Sequence, residues 1–225
     1  MTSRTCSVAS VLAALALLPS AGNAVELYDE FPGEIRADER YVVYSHGLIV
    51  EGDDPRPVHP ELGVYDFPAV AAALFDGGGF NMIAHHRPKN TDTATYVDTL
   101  ESWVERLMTA GVAPERITLV GFSRGAQLTA SAASRLRSSG IGSVLMAVCS
   151  DGDLVRAPPI ELGGRVLSIY ETTDVVGSCR RLAKRSDLRA FEEVAISTGK
   201  GHGAFYLPRP EWLQPLKDWL RRTNR

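Results

Sequence analysis

Ile117-Thr118-Leu119-Val120-Gly121-Phe122-Ser123-Arg124-Gly125 is the stretch that decides the reading of this chain. Residues 117–120 are apolar and β-branched, with the length of a buried strand. Residues 126–136 are rich in Ala, Leu and Ser and predict a helix. Between them lies Gly-Phe-Ser-Arg-Gly, a G-x-S-x-G pattern. A serine on so tight a strand-to-helix turn is forced into strained backbone geometry. Its neighbours two residues away must be small, and Gly121 and Gly125 supply that room. The start of the following helix favours negative charge beside the serine. Ser123 is therefore the candidate nucleophile.

The same alternation extends outward. Apolar runs at 41–45, 80–84, 143–149, 165–170 and 191–196 predict further strands, and an edge strand is expected before Pro32-Gly33. Helices are expected over 68–75, 91–111 and 178–188, with a terminal helix opened by Pro215. In 91–111 the apolar residues Tyr96, Val97, Leu100, Trp103, Val104, Leu107 and Met108 fall on one helical face, which reads as core packing. Residues 51–60 are polar and proline-rich and read as a loop. Strands that are continuously apolar imply burial on both faces. The fold class expected is thus α/β, a doubly wound, mostly parallel sheet with helices on both faces and no lid domain.

Residues 1–24 have the form of a secretory signal peptide. Arg4 is followed by an apolar run at 8–18 and by small residues at Gly22 and Ala24. Cleavage there leaves a domain at 25–225 in a secreted or periplasmic location, with no membrane association once the signal is gone. Two of the three cysteines, Cys149 and Cys179, remain after cleavage. In an oxidising compartment they are expected to pair, closing a loop of about 30 residues worth roughly 3–4 kcal/mol. The net charge is −3, without the basic stripe that nucleic acid requires. Arg180, Arg181, Lys184 and Arg185 read as a solvated helix face.

A serine nucleophile needs a base, and the base needs a carboxylate to fix its tautomer. Of the five histidines only His202 follows Ser123, in the glycine-rich run Gly199 to Gly203 after the last strand. Asp174 follows the strand at 165–170 and is the first choice for the acid, with Asp151, Asp153 and Glu171 as alternatives. Backbone N–H donors for an oxyanion are expected from Arg124 and from the loop after 41–45, at Leu48, with Gly47 as the fallback. His46, His85 and Phe122 are candidates for lining the substrate pocket. No metal is expected at His85-His86, since adjacent strand residues point apart and no further ligand sits at the right spacing.

His46-Gly47, the G-x-S-x-G run, Asp174 and Gly201-His202-Gly203, in that order, resemble the α/β-hydrolase superfamily over nearly the whole of 25–225. The pattern is most similar to small lidless members of the dienelactone-hydrolase-like and carboxylesterase types. That resemblance implies a Ser-His-Asp triad, no cofactor and a small-molecule ester substrate. Ser123 stands where a dienelactone hydrolase would carry cysteine. Alternatives on the same frame are a peptidase, an acyltransferase, and a non-catalytic binding module that keeps the serine turn.

Overall fold

The computed structural model describes residues 25–150 and 159–224. Asp151, Asp153 and the expected signal peptide at 1–24 lie outside the described residues. The strands are β1 (Leu27–Tyr28), β2 (Tyr41–Ser45), β3 (Val58–His59), β4 (Gly63–Val64), β5 (Asn81–Ile83), β6 (Ile117–Phe122), β7 (Gly142–Met146), β8 (Arg165–Glu171) and β9 (Ala190–Ile196). The helices are α1 (Phe67–Phe75), α2 (Thr93–Thr109), α3 (Arg124–Arg135), α4 (Arg180–Lys184) and α5 (Pro210–Thr223).

Among the described residues, seven strands form one sheet in the order β1-β5-β2-β6-β7-β8-β9. Every pairing in it is parallel. After β2 the chain crosses to one side to place β5 and then returns to the other side to place β6. The gap between β2 and β6 is thus the point where strand order reverses, and open parallel sheets gather their chemistry at the carboxyl ends beside that gap. Ser45 pairs with Gly121 in register, so the loops leaving β2 and β6 emerge side by side.

Alternation along β2 shows how the two layers are built. Val42 and Tyr44 join the cluster that includes Val70 and Leu74 of α1 and Leu216 and Trp219 of α5. Tyr41 and Val43 join the opposite cluster, with Leu100 and Leu107 of α2 and Leu128 of α3. A third cluster packs α3 and α4 against β7 and β8 and includes Cys179. The doubly wound sheet read from the apolar runs is the architecture observed.

The local differences have physical causes. The terminal helix starts at Pro210, so Pro215 lies inside it rather than at its first turn. Trp212 in the first turn and Leu216 in the second, both fully buried, hold the helix against the core on either side of the interior proline. The strand expected over 143–149 stops at Met146, because Ala147 takes a left-handed φ of 50° and its N–H turns to Ile169. The polar loop at 51–60 contains β3, which pairs antiparallel with β4. Asp92 caps α2 by accepting the Thr95 N–H at 2.9 Å.

Candidate active site

Ser123 sits between β6 and α3 at φ 53°, ψ −119°, a region a non-glycine residue enters only when its surroundings compel it. The compulsion is visible. The Ser123 N–H donates to Met146 O at the end of β7, 2.9 Å away. Gly121 lies so near the next turn that a Cβ there would stand 2.5 Å from Gly125 O and 2.6 Å from the Ala126 backbone. A Cβ on Gly125 would overlap the carbonyl oxygen of Ser45 on β2. The two glycines therefore serve the close approach of α3 to the sheet, and Ser123 is the residue left projecting.

His202 lies in a short 3₁₀ turn, Gly201–Phe205, after β9. Its Nε2 is 2.8 Å from Ser123 Oγ and its Nδ1 is 2.7 Å from Asp174 Oδ2. With the proton on Nδ1, the ring donates to Asp174 and accepts the Ser123 hydroxyl proton. Asp174 is almost wholly buried at 3% side-chain exposure, whereas His202 retains 26% and stays reachable from solvent. Asp174 Oδ1 also accepts the Val176 N–H at 3.2 Å, which fixes the carboxylate plane. Three residues from three different loops are thus joined in one hydrogen-bonded chain.

Glu171, the alternative acid at the end of β8, is fully buried and bonded elsewhere. Burial by itself raises its carboxyl, but hydrogen bonds from Thr173, Thr198 and Gly199 outweigh that and hold it at about 2.

The helix start offers the Arg124 N–H, and the loop after β2 offers the Leu48 N–H. Among the described residues neither has an acceptor. Gly47 differs, since its N–H donates to Tyr65 Oη at 3.3 Å. A Cβ on Gly47 would press on the Phe122 and Tyr65 rings at 3.1 and 3.3 Å, so glycine is there to let those rings close beneath the loop. The Arg124 side chain turns away to Thr93 Oγ1 at 2.8 Å and reaches the site through its backbone alone.

The three pocket candidates separate. Phe122 is buried, with its ring 4.9 Å from the His202 ring and 5.7 Å from Tyr65, and forms the floor under His202. His46 is fully buried below the Leu48 loop. Its Nδ1–H donates to Gly47 O and its Nε2 accepts the Arg87 N–H, each at 2.9 Å. Burial, then the Arg87 charge, push it well below the usual histidine range, so it is a neutral strut. His85 lies off to the side, stacked on Tyr96 and bonded to Glu30 at 3.0 Å.

Arg87, Glu51 and Tyr65 drew no attention in the sequence. Arg87 is fully buried, donates to His46 O, and pairs with buried Glu51 at 3.3 Å, so it braces the loop that carries Leu48. Tyr65 braces the same loop from the other side and shares a 3.0 Å hydrogen bond with Tyr44. No local motif marks these residues, because each works through a partner at least 18 positions away. Among the described residues no three metal-ligating side chains converge.

The disulfide between Cys149 and Cys179 is present, with Cα atoms 5.0 Å apart. It ties the end of β7 to the segment that follows Asp174.

No protein-family model matches the chain, and comparison with curated proteins gives no match. Solved structures do match in shape. An esterase of Rhizomucor miehei aligns at TM-score 0.59 and 14% identity, over 86% of this chain and 77% of its own. SOBER1 of Arabidopsis thaliana aligns at TM-score 0.53 and 12% identity, over 81% and 98%. The type II thioesterase BorB of the borrelidin cluster aligns at TM-score 0.53 and 18% identity, over 83% and 93%. The chain has the α/β-hydrolase fold.

Proposed function

We propose that this protein is an exported serine hydrolase that cleaves a carboxylic ester through an acyl-enzyme. The observation that carries the reading is the hydrogen-bonded chain Ser123–His202–Asp174. Ser123 Oγ attacks the ester carbonyl carbon while His202 Nε2 takes its proton. The carbonyl oxygen becomes an oxyanion and accepts from the Arg124 and Leu48 N–H groups. The intermediate collapses, the carbon–oxygen bond to the alcohol breaks, and His202 returns its proton to the departing alkoxide. Water then attacks the acyl-enzyme by the same route in reverse, and Asp174 balances the imidazolium in both halves. The esterase and thioesterase names among the structural matches agree with this chemistry.

A fluorophosphonate probe tests the reading. It should label Ser123 in the folded protein, and a small p-nitrophenyl ester should be hydrolysed. Ser123→Ala should abolish labelling and lower kcat by about 10⁴-fold or more. A folded protein that neither takes the probe nor cleaves the ester would sink the proposal and leave a non-catalytic module. Export is supported by the signal-like residues 1–24 and by the disulfide. Among the described residues no helix is long and apolar enough to cross a membrane. The intact mass of exported protein should correspond to a start at Val25, and a start at Met1 would contradict removal of the signal.

A further inference from the structure

Glu171 closes β8, and its carboxylate receives donors from both loops that carry the acid and the base. Oε2 accepts the Thr173 N–H at 2.6 Å and the Thr173 hydroxyl at 2.5 Å. Oε1 accepts the Thr198 N–H at 2.8 Å, the Gly199 N–H at 3.0 Å and the Thr198 hydroxyl at 3.4 Å. Thr173 Oγ1 then accepts the Gly201 N–H at 3.2 Å. Thr173 immediately precedes Asp174, and Gly201 immediately precedes His202. We propose that Glu171 is a positioning residue that locks the Asp174 loop to the His202 loop and thereby sets the Asp174–His202 hydrogen bond. This inference rests on the triad reading.

The choice of side chain follows from the donor set. All five partners are neutral donors, so the site needs a group with several lone pairs and no hydrogen of its own. An ionised carboxylate of this length meets that need. A glutamine of the same shape would turn an NH₂ toward donors on one loop and break half of the clamp. A buried anion held only by neutral donors is also costly to assemble, which a loop with no geometric task would not require. Held at about 2, the carboxyl is ionised at neutral pH, so it can accept from all five donors there.

The test compares Glu171→Gln and Thr173→Val with the wild type, each as the full mature chain. Expected for Glu171→Gln is a cooperative unfolding transition and a kcat lower by about 10–100-fold with KM changed less than about two-fold, as displacement of a catalytic pair predicts. Fluorophosphonate labelling of Ser123 should slow in parallel. The far-downfield NMR signal of the His202 Nδ1 proton should broaden or vanish. Thr173→Val removes the hydroxyl that links Glu171 to Gly201 and should show the same pattern more weakly. A purely structural role would lower the melting temperature and leave kcat of the folded protein and the Nδ1 signal alone. That outcome overturns the proposal. Should Glu171→Gln fail to fold, Thr173→Val decides, and wild-type kcat with an unmoved signal would overturn it. A wild type that neither labels nor hydrolyses removes the triad reading and the positioning role with it. A wild type that labels, beside a Glu171→Gln that labels equally fast, removes the positioning role alone.

Discussion

Gly125 has no space for a methyl group, because the Ser45 carbonyl already occupies it. Gly125→Ala must therefore push α3 away from β2 or rotate the elbow. Either movement separates the Arg124 and Leu48 N–H groups, which belong to the two elements forced apart. The expected cost is at least about 3 kcal/mol of stability together with loss of probe labelling, read by denaturant titration and by the fluorophosphonate assay. Asp174→Asn makes a different kind of change. It keeps the shape and the Val176 contact but offers His202 an amide that can hold the wrong tautomer. Here kcat should fall by about 10⁴-fold with the melting temperature little changed. The two variants separate a residue needed to build the turn from a residue needed to run it.

Between β8 and α4 the chain is anchored at both ends. Glu171 holds the front. At the back, Glu193 of β9 accepts the Cys179 N–H and the Ser178 hydroxyl, each at 2.7 Å, while the disulfide joins Cys179 to Cys149. Removing the bridge in a Cys149→Ser/Cys179→Ser variant should cost about 2–5 kcal/mol. It should also lower turnover below the melting transition, because Asp174 lies in the freed segment. Activity measured against temperature with and without reductant checks this, and a variant with full activity up to its own melting point would show that the segment holds itself. At this scale the sequence was a good guide. Continuous apolar runs located β2, β5, β6, β7 and β8 to within a few residues, because burial on both faces leaves little freedom in composition, whereas β9 at the sheet edge is only partly buried and carries Glu192 and Glu193. The β3–β4 hairpin escaped notice, since two-residue strands on the surface show no period. The start of α5 was misplaced because Pro215 resembles a first-turn proline, and only the packing of Trp212 shows that the helix began earlier.

Across the whole molecule, two buried groups make stability depend on pH in the same direction. Neutral His46 has a folded-state value well below the usual histidine range, so the unfolded chain binds its proton first as pH falls below about 6.5. Glu171 is held at about 2, so the unfolded chain again binds the extra proton, from its ordinary value near 4.5 downward. Both contributions are complete at neutral pH. The melting temperature should fall from about pH 6.5 as the His46 contribution is lost, then more steeply below about pH 4.5 as Glu171 adds to it. A His46→Gln variant should lose the first slope, and Glu171→Gln should lose the added steepness. Thermal scans at a series of pH values read both. This layer was not legible in the sequence. Order along the chain and position at strand ends sufficed to place Ser123, Asp174 and His202 among the site candidates. Nothing local distinguishes a glutamate that clamps two loops from one that faces solvent, because the partners that make it a clamp are backbone amides 27 and 28 positions away, beyond the local Thr173.

The reversal of strand order between β2 and β6 also bears on the time course of assembly. Ser123 meets His202 across a separation of 79 positions. Gly125 fits against Ser45 only once two strands distant in the chain have paired. Contacts of such range form slowly, since each must close a long loop before it gains any stabilisation. Even Trp103 of α2 is packed by distant residues, since its ring meets Phe31 and His85 as well as Tyr96 of its own helix. Catalytic competence must wait until β8, β9 and the His202 turn have docked, and so returns last.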